Sequence, residues 1–330
     1  MVEPVYDPTF VTLDIPDYAI SYLGEPSFPV DNPLTEEGIK LGRLLFYETL
    51  LSDDLSMSCA SCHLQSAAFG DSEQFSQGTN GAFGDRNAMN IVNLAWSPSL
   101  FWDGRRNTLE EQAHDPVTNP VEMRNDWNIV VKRLQNHDQY PDLFYEAFGT
   151  SVIDSNLVTK AISQFERTLL SFDSPFDRFF YDGDTLMLNT SQKNGYDLFF
   201  GQAECIHCHL GPLFTDNTLR NNGLDATLTD IGYGNVTELS TDNGKFRVPT
   251  LRNIAESAPY MHDGRFASLE QVVEFYNSGV QGASPNLDPE MNHFALGLNL
   301  TTQEKADLVN FLKTLSDDTY LTNEFFSDPH

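Results

Sequence analysis

The chain holds four cysteines, and they fall in two pairs, each followed at once by a histidine. "SCASCH" supplies Cys59, Cys62 and His63, and "ECIHCH" supplies Cys205, Cys208 and His209. A C-x-x-C pair can be half of a zinc site, a redox dithiol or a haem anchor. Two such pairs could in principle make one four-cysteine zinc site. The pairs lie far apart, however, and a redox dithiol explains neither histidine. In C-x-x-C-H the logic is covalent: both thiols add to the haem vinyl groups, and the next side chain reaches the iron through its imidazole. The expectation is two covalently bound haem c groups, with His63 and His209 as axial ligands.

The elements that must position these groups are themselves doubled. "WDGRRNTLEEQAHDPV" and "HDGRFASLEQVVEFYN" lie 160 residues apart and share an aspartate, a glycine, an arginine, a hydroxyl residue, a leucine and a glutamate. "LGRLLFYETL" precedes the first haem motif as "NGYDLFFGQA" precedes the second; "QFERTLLSF" and "NFLKTLSDD" close the two halves. Each half therefore runs helix, haem motif, variable loop, D-G-R element, closing helix. The apolar spacing of "VTKAISQFERTLLSF" and "EKADLVNFLKTL" predicts amphipathic helices, with "LTTQE" offering a threonine N-cap to the second. Few stretches alternate with period two, so strands should be minor. Residues 211–245, dense in Asn, Asp, Thr and Gly, predict a long loop. The fold class is mostly α, with two tandem cytochrome c-like domains related by internal duplication, each carrying one haem. We place an N-terminal extension at 1–24, the first domain at 25–180 and the second at 181–330.

The duplicated element parts company 13 residues after its aspartate, where the first copy has Pro116 and the second Tyr276. Equivalent positions should face equivalent haem surfaces. A tyrosine can offer iron a phenolate oxygen, whereas a proline offers nothing. This predicts a six-coordinate second haem, through His209 and Tyr276, and a five-coordinate first haem with an open face. The competing reading makes Tyr276 a core aromatic of its helix, and Met261, Met291 and His293 compete for the same iron. Arg247 and Arg252 are expected to pair with haem propionates, because arginine meets carboxylates bidentately. His262 is a further propionate contact, whereas His137, His207 and His330 read as surface residues.

The formal net charge of −29 argues against a nucleic-acid partner, whose phosphates would be repelled. It leaves a solvated acidic surface or a basic protein partner. No apolar run approaches the roughly 20 residues needed to cross a bilayer, so no membrane span is expected. The opening "MVEPVYDP" has neither a basic segment nor an apolar core. Because c-type haem is attached outside the bacterial cytoplasm, we expect a periplasmic protein whose signal peptide has been removed.

Two C-x-x-C-H motifs with "FWDGRRNTLEEQ", "NPVEM", "FRVPTLRN" and "APYMHDGRF" in this order resemble the bacterial dihaem cytochrome c peroxidase and MauG family, over roughly residues 25 to 320. The resemblance implies a hydrogen-peroxide-dependent oxidoreductase. At the place of Tyr276, ordinary peroxidases of that family carry methionine and MauG-like members tyrosine. It implies Glu122 as general acid/base, Gln112 as positioner of bound peroxide beside Pro116, and Trp102 as a relay between the haems. It also implies a calcium ion held by Asn87 and the carbonyls of Ser257 and Pro259. Trp96 and Trp127 match no functional tryptophan and read as packing. Family peroxidases that need half-reduction carry a loop histidine that fills the first iron at rest. This chain has no histidine from 64 to 113, so activity from the fully oxidised state is expected. The leading reading is a MauG-like enzyme that stores oxidising equivalents on both haems and Trp102. It would then oxidise an aromatic side chain of a partner protein docked near the second haem. The alternatives are a peroxidase fed by a small cytochrome c or copper protein, and a non-enzymatic dihaem electron carrier. One departure is noted: the surface tryptophan of the tryptophan-modifying member, two residues before its second haem motif, is Ala203 here.

Overall fold

Glycines at two helix crossings set the architecture. A computed structural model describes residues 6–330; residues 1–5, the first five of "MVEPVYDP", lie outside the described residues. The helices are α1 (Asp17–Leu23), α2 (Glu36–Tyr47), α3 (Leu109–Thr118), α4 (Trp127–Gln135), α5 (Tyr140–Phe148), α6 (Ser155–Arg167), α7 (Pro175–Phe180), α8 (Thr190–Phe200), α9 (Gly234–Thr237), α10 (Leu269–Glu274), α11 (Thr302–Leu312) and α12 (Asp318–Thr322). In the first half α2 crosses α6 at Gly42, where an added Cβ would lie 1.9 Å from Ala161 O. In the second half α8 crosses α11 at Gly195, where it would lie 2.0 Å from Asp307 O. Only a residue without a side chain lets the two backbones touch, and the same solution recurs in both halves. The predicted cap of α11 is present: Glu304 N donates to Thr301 Oγ1 (3.2 Å), and Thr301 N donates to the Glu304 carboxylate (2.7 Å). Such a cap contributes about 1 kcal/mol. Strand among the described residues is minor, as expected: β1 (Leu219–Arg220) pairs antiparallel with β2 (Phe246–Arg247).

The D-G-R element is a tight turn in both halves. Gly104 and Gly264 have φ of +67° and +62°, and the residues three before them, Phe101 and Met261, are also left-handed. Short bridges, Leu100 to Arg106 and Tyr260 to Phe266, close the two turns. Helices α3 and α10 then start from the capping hydroxyls of Thr108 and Ser268. Here the halves diverge physically as well as in sequence. Pro116 lies inside α3 and leaves the Gln112 carbonyl without its helical donor. In the second half α10 widens into a π-helical turn, Phe275–Gly279, that carries Tyr276. Such turns cluster at functional sites.

Each half has its own apolar core, but the chain ends mix them. Tyr320 and Phe326 pack into the first core, against Phe69. Arg43 Nε donates to Ser327 O (2.7 Å) and Tyr47 Oη to Phe326 O (2.7 Å). By packing, the closing segment 318–327 therefore joins the first half rather than the domain drawn from 181 to 330. At the other end α1 wedges into the seam, with Ile15 and Ala19 packed beside Phe172 and Leu213.

Gly42→Ala and Gly195→Ala should each destabilise the holoprotein by roughly 1–3 kcal/mol, because backbone rather than a movable side chain opposes the new methyl. Urea unfolding should show it, and an unchanged midpoint would mean that the helix pairs can separate without cost.

Candidate active site

Each haem motif is followed by the same hydrogen bond. His63 Nδ1 donates to Phe69 O (2.8 Å), and His209 Nδ1 donates to Phe214 O (3.0 Å). A carbonyl can only accept, so Nδ1 carries the proton and Nε2 keeps its lone pair for a metal. Phe69 and Phe214 both have left-handed φ, 56° and 51°, which turns their carbonyls back toward the rings. Burial pulls both imidazoles below their ordinary range, which favours the neutral, ligating form. The four thiols form no disulfide, which suits their use as vinyl-adding groups.

The second pocket is a large apolar cavity walled by Phe199, Leu251, Val272, Leu308 and Leu312, with Cys205, Cys208 and His209 in its lining. Tyr276, Met261 and Met291 line it too. Asn222 Nδ2 donates to Tyr276 Oη (3.3 Å) and lies 3.6 Å from Met261 Sδ. Burial pushes the Tyr276 phenol up to about 12, while the Asn222 amide works in the opposite direction by stabilising the phenolate. His293 does not line the cavity, and its Nε2 lies 3.0 Å from Glu204 Oε2.

Whether this cavity suits a haem can be judged from Arg247. Its guanidinium lines the cavity with no acid beside it: Nη1 contacts Ser97 Oγ and Ser99 O (3.1 Å), Nη2 lies 3.7 Å from Met89 Sδ, and Nε has no partner. Burial pulls it down to about 10. A buried cation with an orphaned donor fits a propionate. Arg252 does not have this role, which corrects the sequence expectation. Both its Nη atoms are spent on Asp177 (2.8 Å each) and its Nε on Pro212 O (2.5 Å), all fully buried and outside the cavity lining. His262 lines the cavity and stacks on Phe246, with centroids 3.8 Å apart.

Trp102 and Asn87 form the seam between the halves. Trp102 Nε1 donates to Asn87 O (2.8 Å), Arg247 N donates to Trp102 O (2.8 Å), and Asn87 N donates to His262 O (2.8 Å). Asn87 Nδ2 donates to Glu73 O (3.1 Å) and Gln74 O (3.3 Å), fixing the orientation of its amide. Asn87, Ser257 and Pro259 line the same cavity as Trp102.

At the first haem motif, Gln112 and Pro116 stand four residues apart on one face of α3. The chain then turns back, with Met123 N donating to Pro116 O (3.2 Å), and brings Glu122 close enough to act electrostatically on Cys59 and Cys62. Burial pushes the Glu122 carboxyl up, against the opposing pull of Arg105 and of the Asn119 amide, which donates at 2.6 Å. A half-buried carboxyl held in this way suits proton transfer. Sequence reasoning missed Asn222, hidden in an Asn-rich loop. It also missed Glu166, which lies on α6, is pushed up to about 8 by burial, and is the first charge acting on Cys59. No motif marks either residue.

Tyr276→Phe should convert the second haem of the oxidised holoprotein from six- to five-coordinate, read as a low- to high-spin change in its electron paramagnetic resonance. Tyr276→Met should raise that haem's potential. A low-spin signal unchanged in Tyr276→Phe would transfer the ligand role to Met261 or Met291.

The family model described as di-haem cytochrome c peroxidase matches residues 36–185. The cytochrome-c peroxidase IdrP1 of Pseudomonas sp. (strain SCT) is 38% identical over 336 residues, covering 90% of this chain and 87% of that protein. The methylamine utilization protein MauG of Methylorubrum extorquens is 39% identical over 290 residues, covering 87% and 80%. The crystal structure of a MauG-like protein associated with microbial copper homeostasis superposes with a TM-score of 0.88 at 36% identity, covering 97% of this chain and 99% of that one. With both C-x-x-C-H motifs, both oriented histidines and relatives of this identity along nearly its whole length, the chain belongs to the di-haem cytochrome c peroxidase and MauG family of peroxide-using haem oxidoreductases.

Proposed function

We propose a periplasmic, MauG-like enzyme that reacts with hydrogen peroxide at the first haem and oxidises an aromatic side chain of a partner protein docked near the second. The observation that carries this reading is the contrast between Tyr276, lining the second cavity with Asn222 on its hydroxyl, and Pro116 at the equivalent place in the first half. The two haems, held by Cys59, Cys62 and His63 and by Cys205, Cys208 and His209, supply the redox chemistry of peroxide reduction and the storage of its oxidising equivalents. Glu122 takes the proton from one peroxide oxygen and returns it to the other, and Gln112 orients the peroxide. Pro116 leaves the open face without a competing ligand. Trp102, bonded to both halves of the chain, relays electrons or holes. Arg247 and His262 hold propionates of the second haem. Asn87, with the Ser257 and Pro259 carbonyls, holds a calcium ion, for which an all-oxygen set is suited. A second reading, peroxide reduction to water with electrons from a small cytochrome c or copper protein, is favoured by the relatives named peroxidases.

Titration of the fully oxidised holoprotein with one equivalent of peroxide and no reductant separates the two. Rapid Soret changes with a long-lived near-infrared band are expected; reaction only after one-electron reduction would leave the ordinary peroxidase. Glu122→Gln should slow the reaction with peroxide by ~10²–10⁴-fold. Because the unprotonated carboxylate starts the reaction and its pKa is raised, the rate should climb with pH through a midpoint above 4.5, the ordinary glutamate value. In Glu122→Gln that rise should vanish, and its persistence would assign the base elsewhere.

A further inference from the structure

Helix α1 places Tyr18 and Tyr22 four residues apart, on one helical face. That face meets Tyr181 at the end of α7: the Tyr18 and Tyr181 rings stack with centroids 3.7 Å apart and planes within 5°. Tyr22, one helical turn on from Tyr18, brings a third hydroxyphenyl group to this side of the second half. The cluster is joined to the second haem's attachment loop in two ways. The Tyr22 ring lies against Gly211, two residues past His209; a Cβ there would sit 2.5 Å from Tyr22 Cε1 and 3.2 Å from its hydroxyl. Gly211 has φ +68°, so both its conformation and its missing side chain let the ring reach that loop. Second, Phe214, whose carbonyl holds His209, packs on Phe176 (centroids 5.0 Å), and Phe176 packs on Tyr181 (6.2 Å).

The outer member of the cluster is the one most open to solvent. Tyr22 is 59% exposed, whereas Tyr18 and Tyr181 are half-buried. Among the described residues the other strongly exposed tyrosine is Tyr6, at 44%, which rests on Gly149 of the first half. Ala203, just before the second haem motif, is fully buried and cannot serve as an outlet. Tyr18 donates to Phe172 O (3.0 Å) beside the Asp177 carboxylate that Arg252 holds, which ties the cluster to a rigid buried ion pair.

The geometry points to Tyr22 as the outlet through which oxidising equivalents leave the second half of the molecule, with Tyr181 and Tyr18 as the relay behind it. The assignment rests on the peroxide-driven reading above. In each transfer Tyr22 gives one electron inward and its phenolic proton to water. The resulting tyrosyl radical takes an electron and a proton from an aromatic side chain of the partner, restoring Tyr22. Two such transfers consume the two equivalents of one peroxide, which ends as two waters.

The test uses the fully oxidised holoprotein, one equivalent of hydrogen peroxide and no partner. It follows the lifetime of the near-infrared band and the formation of dityrosine-linked dimers, mapped by peptide mass spectrometry. The wild type should dimerise through Tyr22. Tyr22→Phe should abolish that cross-link and lengthen the band's lifetime several-fold, Tyr22→Trp should restore fast decay, and Tyr6→Phe should change neither. A cross-link mapped to another residue, or a Tyr22→Phe lifetime equal to wild type, overturns the outlet while leaving the peroxide chemistry intact. Absence of the band in the wild type itself overturns the underlying reading, and the outlet with it.

Discussion

An imidazole can serve iron reliably through one nitrogen only if the other is held still. Here that constraint is met twice by one device: a backbone carbonyl, turned inward by a left-handed phenylalanine, accepts the Nδ1 proton of the histidine five or six residues earlier. The carbonyl must itself be fixed, so Phe69 and Phe214 are buried in their respective cores. Those cores exist because α2 and α6, and α8 and α11, approach at glycines. The hydrogen bond, the buried ring and the glycine crossing form one chain of dependence, repeated in each half. The halves differ at Pro116 and Tyr276 and in the elements around them, α4 and α5 in the first half against β1, α9 and β2 in the second.

The treatment of buried cations follows the same economy. Arg252 is neutralised within the protein by Asp177, and the pair ties α7 to the segment after the second haem motif. Breaking one partner of such a pair typically costs about 3–5 kcal/mol, because the other charge is then stranded. Arg247 is also buried but surrounded by neutral oxygens and a thioether, so the protein itself supplies no anion to offset the cost of burying its charge. Two arginines five residues apart in one motif thus have opposite settings, one paired with an acid of the protein and one left without an anion.

That distinction was not legible in the sequence. Both arginines sit in "FRVPTLRN", and the acid that claims Arg252 lies 75 residues earlier, in a stretch that carries no motif. Asn222 and Tyr22 were hidden for a similar reason: their roles come from what the fold lays beside them. What could be read was covalent or periodic. The haem anchors followed from bond-forming residues at fixed spacing, the capping threonine of α11 from local hydrogen bonding, and the duplication from aligned turns. The Pro116–Tyr276 contrast was visible by counting, but the π-helical turn that re-aims Tyr276 leaves no mark in spacing. The packing of segment 318–327 was not legible, since nothing in "DDTYLTNEFF" names the core it joins.

The return of residues 318–327 to the first core bears on biogenesis. The first core closes only when residues 320–326, about 250 positions after Phe69, have been made, because Tyr320 and Phe326 pack on its ring. Until then the wall that Tyr320 and Phe326 place against Phe69 is missing, and the loop bearing Cys59, Cys62 and His63 remains open on that side. Segment 318–327 therefore acts as a clasp, and the first half cannot be fully packed before it arrives.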